Sequence, residues 1–176
     1  MKKNETKLLA GLIGGLAIGV LIGYFLVLNN NRKTETISGK EAVNLGLSVK
    51  WATINEAAED RNSPGNQYSW EEAMAAAYED GWRLPTEEEV IELIYRCTWR
   101  PVNKDGRVGI RGRSLLNDRE IFLPSDGLAG IYWTSTTAMA DSTSAARLAF
   151  SPALCVAPNH YYTLKDNRLM IRLVHE

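Results

Sequence analysis

The first pattern along the chain is an uncharged run from Leu8 to Leu28, in which Tyr24 alone carries a polar side chain. About 20 such residues cross a hydrocarbon core as a helix. Lys2, Lys3 and Lys7 precede the run, and Arg32 and Lys33 follow it. The pattern predicts a transmembrane signal-anchor over 8–28, with 1–7 as a cytoplasmic basic end and the rest extracytoplasmic, in the periplasm or at the cell surface. The run ends in large apolar residues with no A-x-A-like exit, which argues against cleavage. Gly11, Gly15, Gly19 and Gly23 fall on one helix face, the spacing at which membrane helices approach closely. The expected partners are therefore the membrane, crossed once, and further copies of the chain meeting at the glycine face. Residues 29–40 read as a polar linker to a domain over 41–176.

Beyond the linker the periods shorten. Leu47, Val49, Trp51 and Thr53 alternate with Ser48, Lys50 and Ala52, a strand pattern. A polar stretch from Glu56 to Gln67 with Pro64-Gly65 reads as a loop. Ser69 followed by Glu72 forms a capping box, and Trp70, Ala73, Met74 and Ala77 share one helical face that Gly81 closes. Thr86 with Glu89 forms a second capping box. Val90, Ile91, Leu93, Ile94 and Cys97 give that helix its buried stripe, and Arg100-Pro101 ends it. Glycines at 106, 109 and 112 then separate short segments. Residues 121–124, 131–136, 147–151 and 169–174 read as strands. Two early helices and several late strands predict an α+β domain.

Composition narrows the chemistry. With 20 basic against 21 acidic residues the net charge is −1, which argues against a nucleic-acid partner. The two cysteines, Cys97 and Cys155, stand in no zinc-ligand spacing, so no metal and no cofactor is expected. A disulfide between them and two buried thiols both fit the sequence.

Several motifs, in order, resemble the Fibrobacter succinogenes major paralogous domain. They are Glu41-Ala42-Val43-Asn44-Leu45-Gly46-Leu47-Ser48-Val49-Lys50-Trp51-Ala52-Thr53, then Gly81-Trp82-Arg83-Leu84-Pro85-Thr86 with Glu89, Ile121-Phe122-Leu123-Pro124, Tyr132-Trp133-Thr134-Ser135-Thr136 and the closing Arg172-Leu173-Val174. The resemblance implies a C-type-lectin-like fold, similar to that of formylglycine-generating enzymes: two helices packed on a small, twisted, loop-rich antiparallel sheet. The chain departs from calcium-dependent lectins. Where they carry an acidic or amide residue before Pro-Asn, it has Ala157-Pro158-Asn159, which removes an oxygen donor that calcium needs. Nothing around Cys97 or Cys155 matches the motif of the sulfatase-maturing enzymes.

The chemical candidates are few. Ser135 and Ser151 lack a nucleophile-elbow pattern and a partner base. Helix capping accounts for Glu87, Glu88 and Glu89, and His175 is the penultimate residue. Trp51, Trp70, Trp82 and Trp133 lie in the periodic stripes and read as core. The segment from Thr137 to Asn167 stands apart, rich in Ser, Ala, Asn, Tyr and Pro and bracketed by Tyr132-Trp133 and Arg172-Leu173-Val174. It resembles the ligand-binding stretch of retroelement-diversified proteins. The expected ligand-binding residues are Asn159, His160, Tyr161, Tyr162, Lys165 and Asp166. The reading is a membrane-anchored, non-catalytic, calcium-independent module that presents C-terminal loops to a protein or glycan. A structural subunit of the cell envelope and an enzyme are the alternatives.

Overall fold

The computed structural model describes residues 34–104, 106–154 and 156–176. Among the described residues, ten strands form three antiparallel sheets. The first takes β1 (Glu35–Ile37), β2 (Lys40–Val43), β3 (Lys50–Ala52) and β10 (Val174–His175), paired in that order. The second is β4 (Cys97–Lys104), β5 (Arg107–Ser114) and β6 (Glu120–Pro124). The third is β7 (Gly130–Thr137), β8 (Ser144–Ser151) and β9 (Val156–Leu164). Only two helices occur among the described residues, α1 (Trp70–Ala75) and α2 (Glu87–Tyr95).

This corrects the α+β expectation of two helices on one small sheet behind a transmembrane helix. The described domain is mostly β, with three sheets in place of one. No described helix is long and apolar enough to cross a membrane, so the anchor is not carried into the functional reading. The run Leu8–Leu28, the glycines 11, 15, 19 and 23, and Cys155 lie outside the described residues.

Both helices stop early, each for a visible reason. The two capping boxes are present: Ser69 and Thr86 accept from the backbone of Glu72 and Glu89, whose side chains reach back. After Ala75, however, Ala76 turns extended. The Tyr78 hydroxyl then donates to the Ala73 carbonyl at 2.8 Å, doing from outside what a further helical turn would have done. Met74 and Ala77, expected on the buried face, are exposed; only Ala73 of that stripe is fully buried. At the end of α2 the Trp99 indole N–H donates to the Ile94 carbonyl at 3.1 Å. The chain leaves as β4, with Cys97 still in the core and burial pushing its thiol up to about 11.

The extra strands are built with glycine as a packing slot. Gly112, which reads as a separator, lies inside β5 opposite Trp99, where an added Cβ would stand 2.6 Å from the indole. Gly130 faces Phe150 across β7 and β8 in the same way, at 2.0 Å. A bulky ring on one strand thus fills the space left by its neighbour.

Successive residues of β7 point to opposite faces. Tyr132 enters one apolar cluster with Leu148, Phe150, Val90, Leu93 and Trp51; Trp133 enters a second with Trp82, Leu84, Ala73 and Leu173. Trp70 packs only partly against this second cluster. The closing segment Leu169–Leu173, expected as a strand, is instead a buried strap. Its backbone bonds pass to Tyr68, Trp133, Glu56 and Ala52 in turn. One motif shows how closely the parts depend on each other. In Trp82-Arg83-Leu84-Pro85-Thr86, Trp82 and Leu84 are core, and Arg83 forks onto both oxygens of Glu89 at 2.9 and 2.7 Å. The Pro85 carbonyl accepts from the Ser135 N–H, and Thr86 caps α2.

Arg172 sits in the strap and is fully buried. Its Nε donates to Asn55 Oδ1 at 2.7 Å, Nη1 to the Ala52 carbonyl at 2.8 Å and Nη2 to the Phe122 carbonyl at 3.1 Å. Burial draws its pKa down to about 10, against the pull of Tyr132. Lysine offers one nitrogen where arginine offers three in a fixed fork. Arg172→Lys therefore leaves buried acceptors unpaired, and the unfolding free energy in urea is expected to drop by about 3–5 kcal/mol, the range for breaking a buried polar pair. A loss under about 1 kcal/mol would show that other donors serve these carbonyls.

Candidate functional site

The Thr137–Asn167 segment, read as binding loops around one strand at 147–151, holds all of β8 and β9. Strand alternation therefore decides which candidates can act together. β9 is an edge, since β8 is its only partner in the sheet. In register, Tyr161 lies opposite Arg147, Asn159 opposite Ala149 and Thr163 opposite Ala145; His160 lies opposite Leu148 and Tyr162 opposite Ala146. The expected residues thus split between two faces of one strand.

On the first face, His160 and Tyr162 converge on Glu87, the first residue of α2. His160 Nδ1 lies 2.9 Å from Glu87 Oε1, and the Tyr162 hydroxyl donates to Oε2 at 2.7 Å. The Glu87 backbone N–H donates to Thr136 Oγ1 at 3.0 Å, so the residue is held at its main chain as well as at both carboxylate oxygens. Its side chain is only 12% exposed, which shields the pair from solvent. An ionised carboxylate can only accept, so Nδ1 carries the hydrogen of this bond, and an uncharged ring would then offer Nε2 as an acceptor. The hydrogen bond to Glu87 pushes the Tyr162 phenol above its ordinary range, aided by desolvation and by the charges of Glu87 and Glu88. Sequence reasoning gave Glu87 to helix capping alone; its second role depends on β9 crossing the start of α2, which no local pattern shows.

On the second face, the Arg147 guanidinium carbon lies 5.6 Å from the centre of the Tyr161 ring. Asn159 Nδ2 donates to the Tyr161 hydroxyl at 3.1 Å, leaving the phenolic hydrogen free to donate outward. Tyr161 is about half exposed. Arg147 was missed by sequence reasoning. The available signal was the alternation Ala146, Leu148, Phe150, which turns Arg147 away from the Leu148 cluster.

The remaining candidates stand beyond the strand. Lys165 Nζ lies 4.1 Å from the centre of the Trp70 ring, a cation–π contact, and Asp166 is exposed in the following turn. His175 packs edge-on against Trp82 and contacts the Asp80 carbonyl.

The hydroxyls of Ser135 and Ser151 donate to the Pro85 and Leu128 carbonyls. Among the described residues no group of three or more His, Cys, Asp or Glu side chains is placed to hold a metal ion. The arrangement offers hydrogen-bond donors, aromatic surface and one histidine acceptor. No family model, curated protein or solved structure matches the chain. The resemblance to the Fibrobacter domain therefore rests on its motifs alone.

The Glu87 contact has a direct optical consequence. In Glu87→Gln the charge that raises the Tyr162 phenol is gone. One tyrosine in the ultraviolet alkaline titration should move down toward the ordinary value of about 10. An unchanged titration curve would show that Tyr162 does not depend on Glu87.

Proposed function

We propose that the domain is a non-catalytic binding module whose ligand-contacting surface is the outer part of the third sheet, β8 and β9. The observation that carries this reading is the contrast between the two sides of the sheet. At β7 both faces are buried in apolar clusters, whereas on β9 Tyr161 and Tyr162 stand about half exposed. Both rings are held by a polar partner, Asn159 or Glu87. Restrained tyrosines give a large amphipathic contact at small entropic cost. The strand beneath is laddered to β8 without a break from Asn159 to Leu164, so the side chains are displayed on a rigid support. The ligand is a protein or a glycan, as such surfaces of tyrosine and amide suit both.

The test is a glycan array and a protein-partner screen with the full-length chain, repeated with Tyr161→Ala/Tyr162→Ala. The double variant should keep a thermal midpoint within about 2 °C of the parent, as exposed substitutions do. Capture of the ligand found should be abolished, because binding energy concentrates in a few aromatic anchors. Unfolding of the variant would place these rings in the core and remove the reading.

A further inference from the structure

Arg147 differs from Arg83, which is partly exposed, and from the buried Arg172 in what surrounds it. Arg83 meets Glu89, and Arg172 is bonded by an amide oxygen and two carbonyls. Arg147 is half-buried on the central strand of its sheet, yet among the described residues no acceptor bonds it, and its Nε is shut off from solvent without a partner. Burial lowers its pKa, so the charge is held there at a cost. Its terminal nitrogens have no bonding partner among the described residues either, but unlike Nε they are not shut off from solvent. Two such nitrogens match the two oxygens of a carboxylate.

The neighbours refine the ligand. Ala145, on one side of Arg147 along β8, is buried in the second apolar cluster with Trp133, so the face opens only on the other side, where the small, partly exposed Ala149 leaves low ground. Across the strand stand the Tyr161 ring and hydroxyl and the Asn159 amide; Thr163 follows, its hydroxyl already accepting from Asn167 and so free to donate. A polyanion draws a cluster of cations. Here a single unpaired cation sits among an aromatic ring, an amide and a hydroxyl, on a domain whose chain carries a net charge of −1. Sugar rings offer flat C–H faces for the aromatic and hydroxyls for the amide, and a uronate adds one carboxylate.

We propose that this face of β8 and β9 binds an acidic saccharide, with Arg147 taking the carboxylate of a uronate residue and Tyr161, Asn159 and Thr163 its hydroxyls. The proposal rests on the binding reading above and names its ligand class.

The experiment measures binding of the full-length chain to polygalacturonate, to the same polymer with its carboxylates methyl-esterified, to heparin and to poly-glutamate. Polygalacturonate should bind. Methyl esterification should weaken it by about tenfold or more, the scale of a lost charge-assisted hydrogen bond, and Arg147→Gln should do the same. The thermal midpoint of Arg147→Gln should hold or rise, because the side chain loses no protein hydrogen bond and a desolvated charge is removed. No binding of polygalacturonate, equal binding of its ester, or full binding by Arg147→Gln would overturn the proposal. So would heparin or poly-glutamate bound as tightly as polygalacturonate, which would reduce the site to general charge attraction. If Tyr161→Ala/Tyr162→Ala abolishes capture of some other ligand while Arg147→Gln leaves it intact, the binding reading stands and the uronate assignment falls.

Discussion

Arg172 fixes the junction at which the three sheets meet, because its hydrogen bonds run to groups that belong to different parts of the chain. Ala52 closes β3, Asn55 follows it, and Phe122 lies in β6. Asn55 in turn donates to the Tyr132 hydroxyl of β7 and to the Pro64 carbonyl. No carboxylate takes part among these contacts. A buried cation served by neutral acceptors gains its place only if every acceptor is correctly positioned, so the bonding set specifies one arrangement of the elements it joins. The rest of the strap is apolar: Met170 and Val174 enter one cluster, Leu169, Ile171 and Leu173 the other. A charge in that company ensures that the strap has one register, since a slip of one residue would bury the guanidinium where no acceptor waits.

Arg147 is the instructive counterpart. Both guanidiniums are drawn out of water, and burial lowers the pKa of both. For Arg172 the fold supplies acceptors for all three nitrogens; for Arg147 it supplies none among the described residues. Folding stability explains the first and not the second, because an unpaired, half-buried charge opposes folding. Such a group is retained most simply when something outside the chain completes it. Arg172 is satisfied within the fold, and Arg147 is left open.

The sequence was most legible where a local rule acts over a few residues. Both capping boxes, and the strands β6 and β7, follow from spacing alone. What spacing could not show is where an element stops. α1 ends because Tyr78 returns to bond the Ala73 carbonyl, and α2 ends with Trp99 on the Ile94 carbonyl; both are contacts made by residues past the helix. The glycines of β5 misled for a related reason. A glycine that accommodates a cross-strand ring is indistinguishable, in one sequence, from a glycine that breaks a strand. The same limit governed the site. Asn159 to Tyr162 could be named as a patch, but their division between two faces depends on β9 being a strand, and the roles of Glu87 and Arg147 depend on which element lies next to it.

The exposure of β9 also requires a means of keeping it from pairing with other chains. It is a long edge without a single charged side chain, which is the ordinary profile of an aggregation-prone strand. Two features blunt it. Pro158 brings no N–H to the ladder, and the Asn159 side chain accepts from the His160 N–H at 2.8 Å, occupying a donor that another strand would seek. These devices act through the backbone and leave the side chains free. A charged guard such as lysine would have protected the edge equally well, but it would also have placed a cation beside Tyr161 or Tyr162 and made that side attractive to any anion. Protection by proline and asparagine allows the strand to keep a tyrosine on each face, with Arg147, on the Tyr161 side, as the one charge that β8 and β9 carry among their described residues.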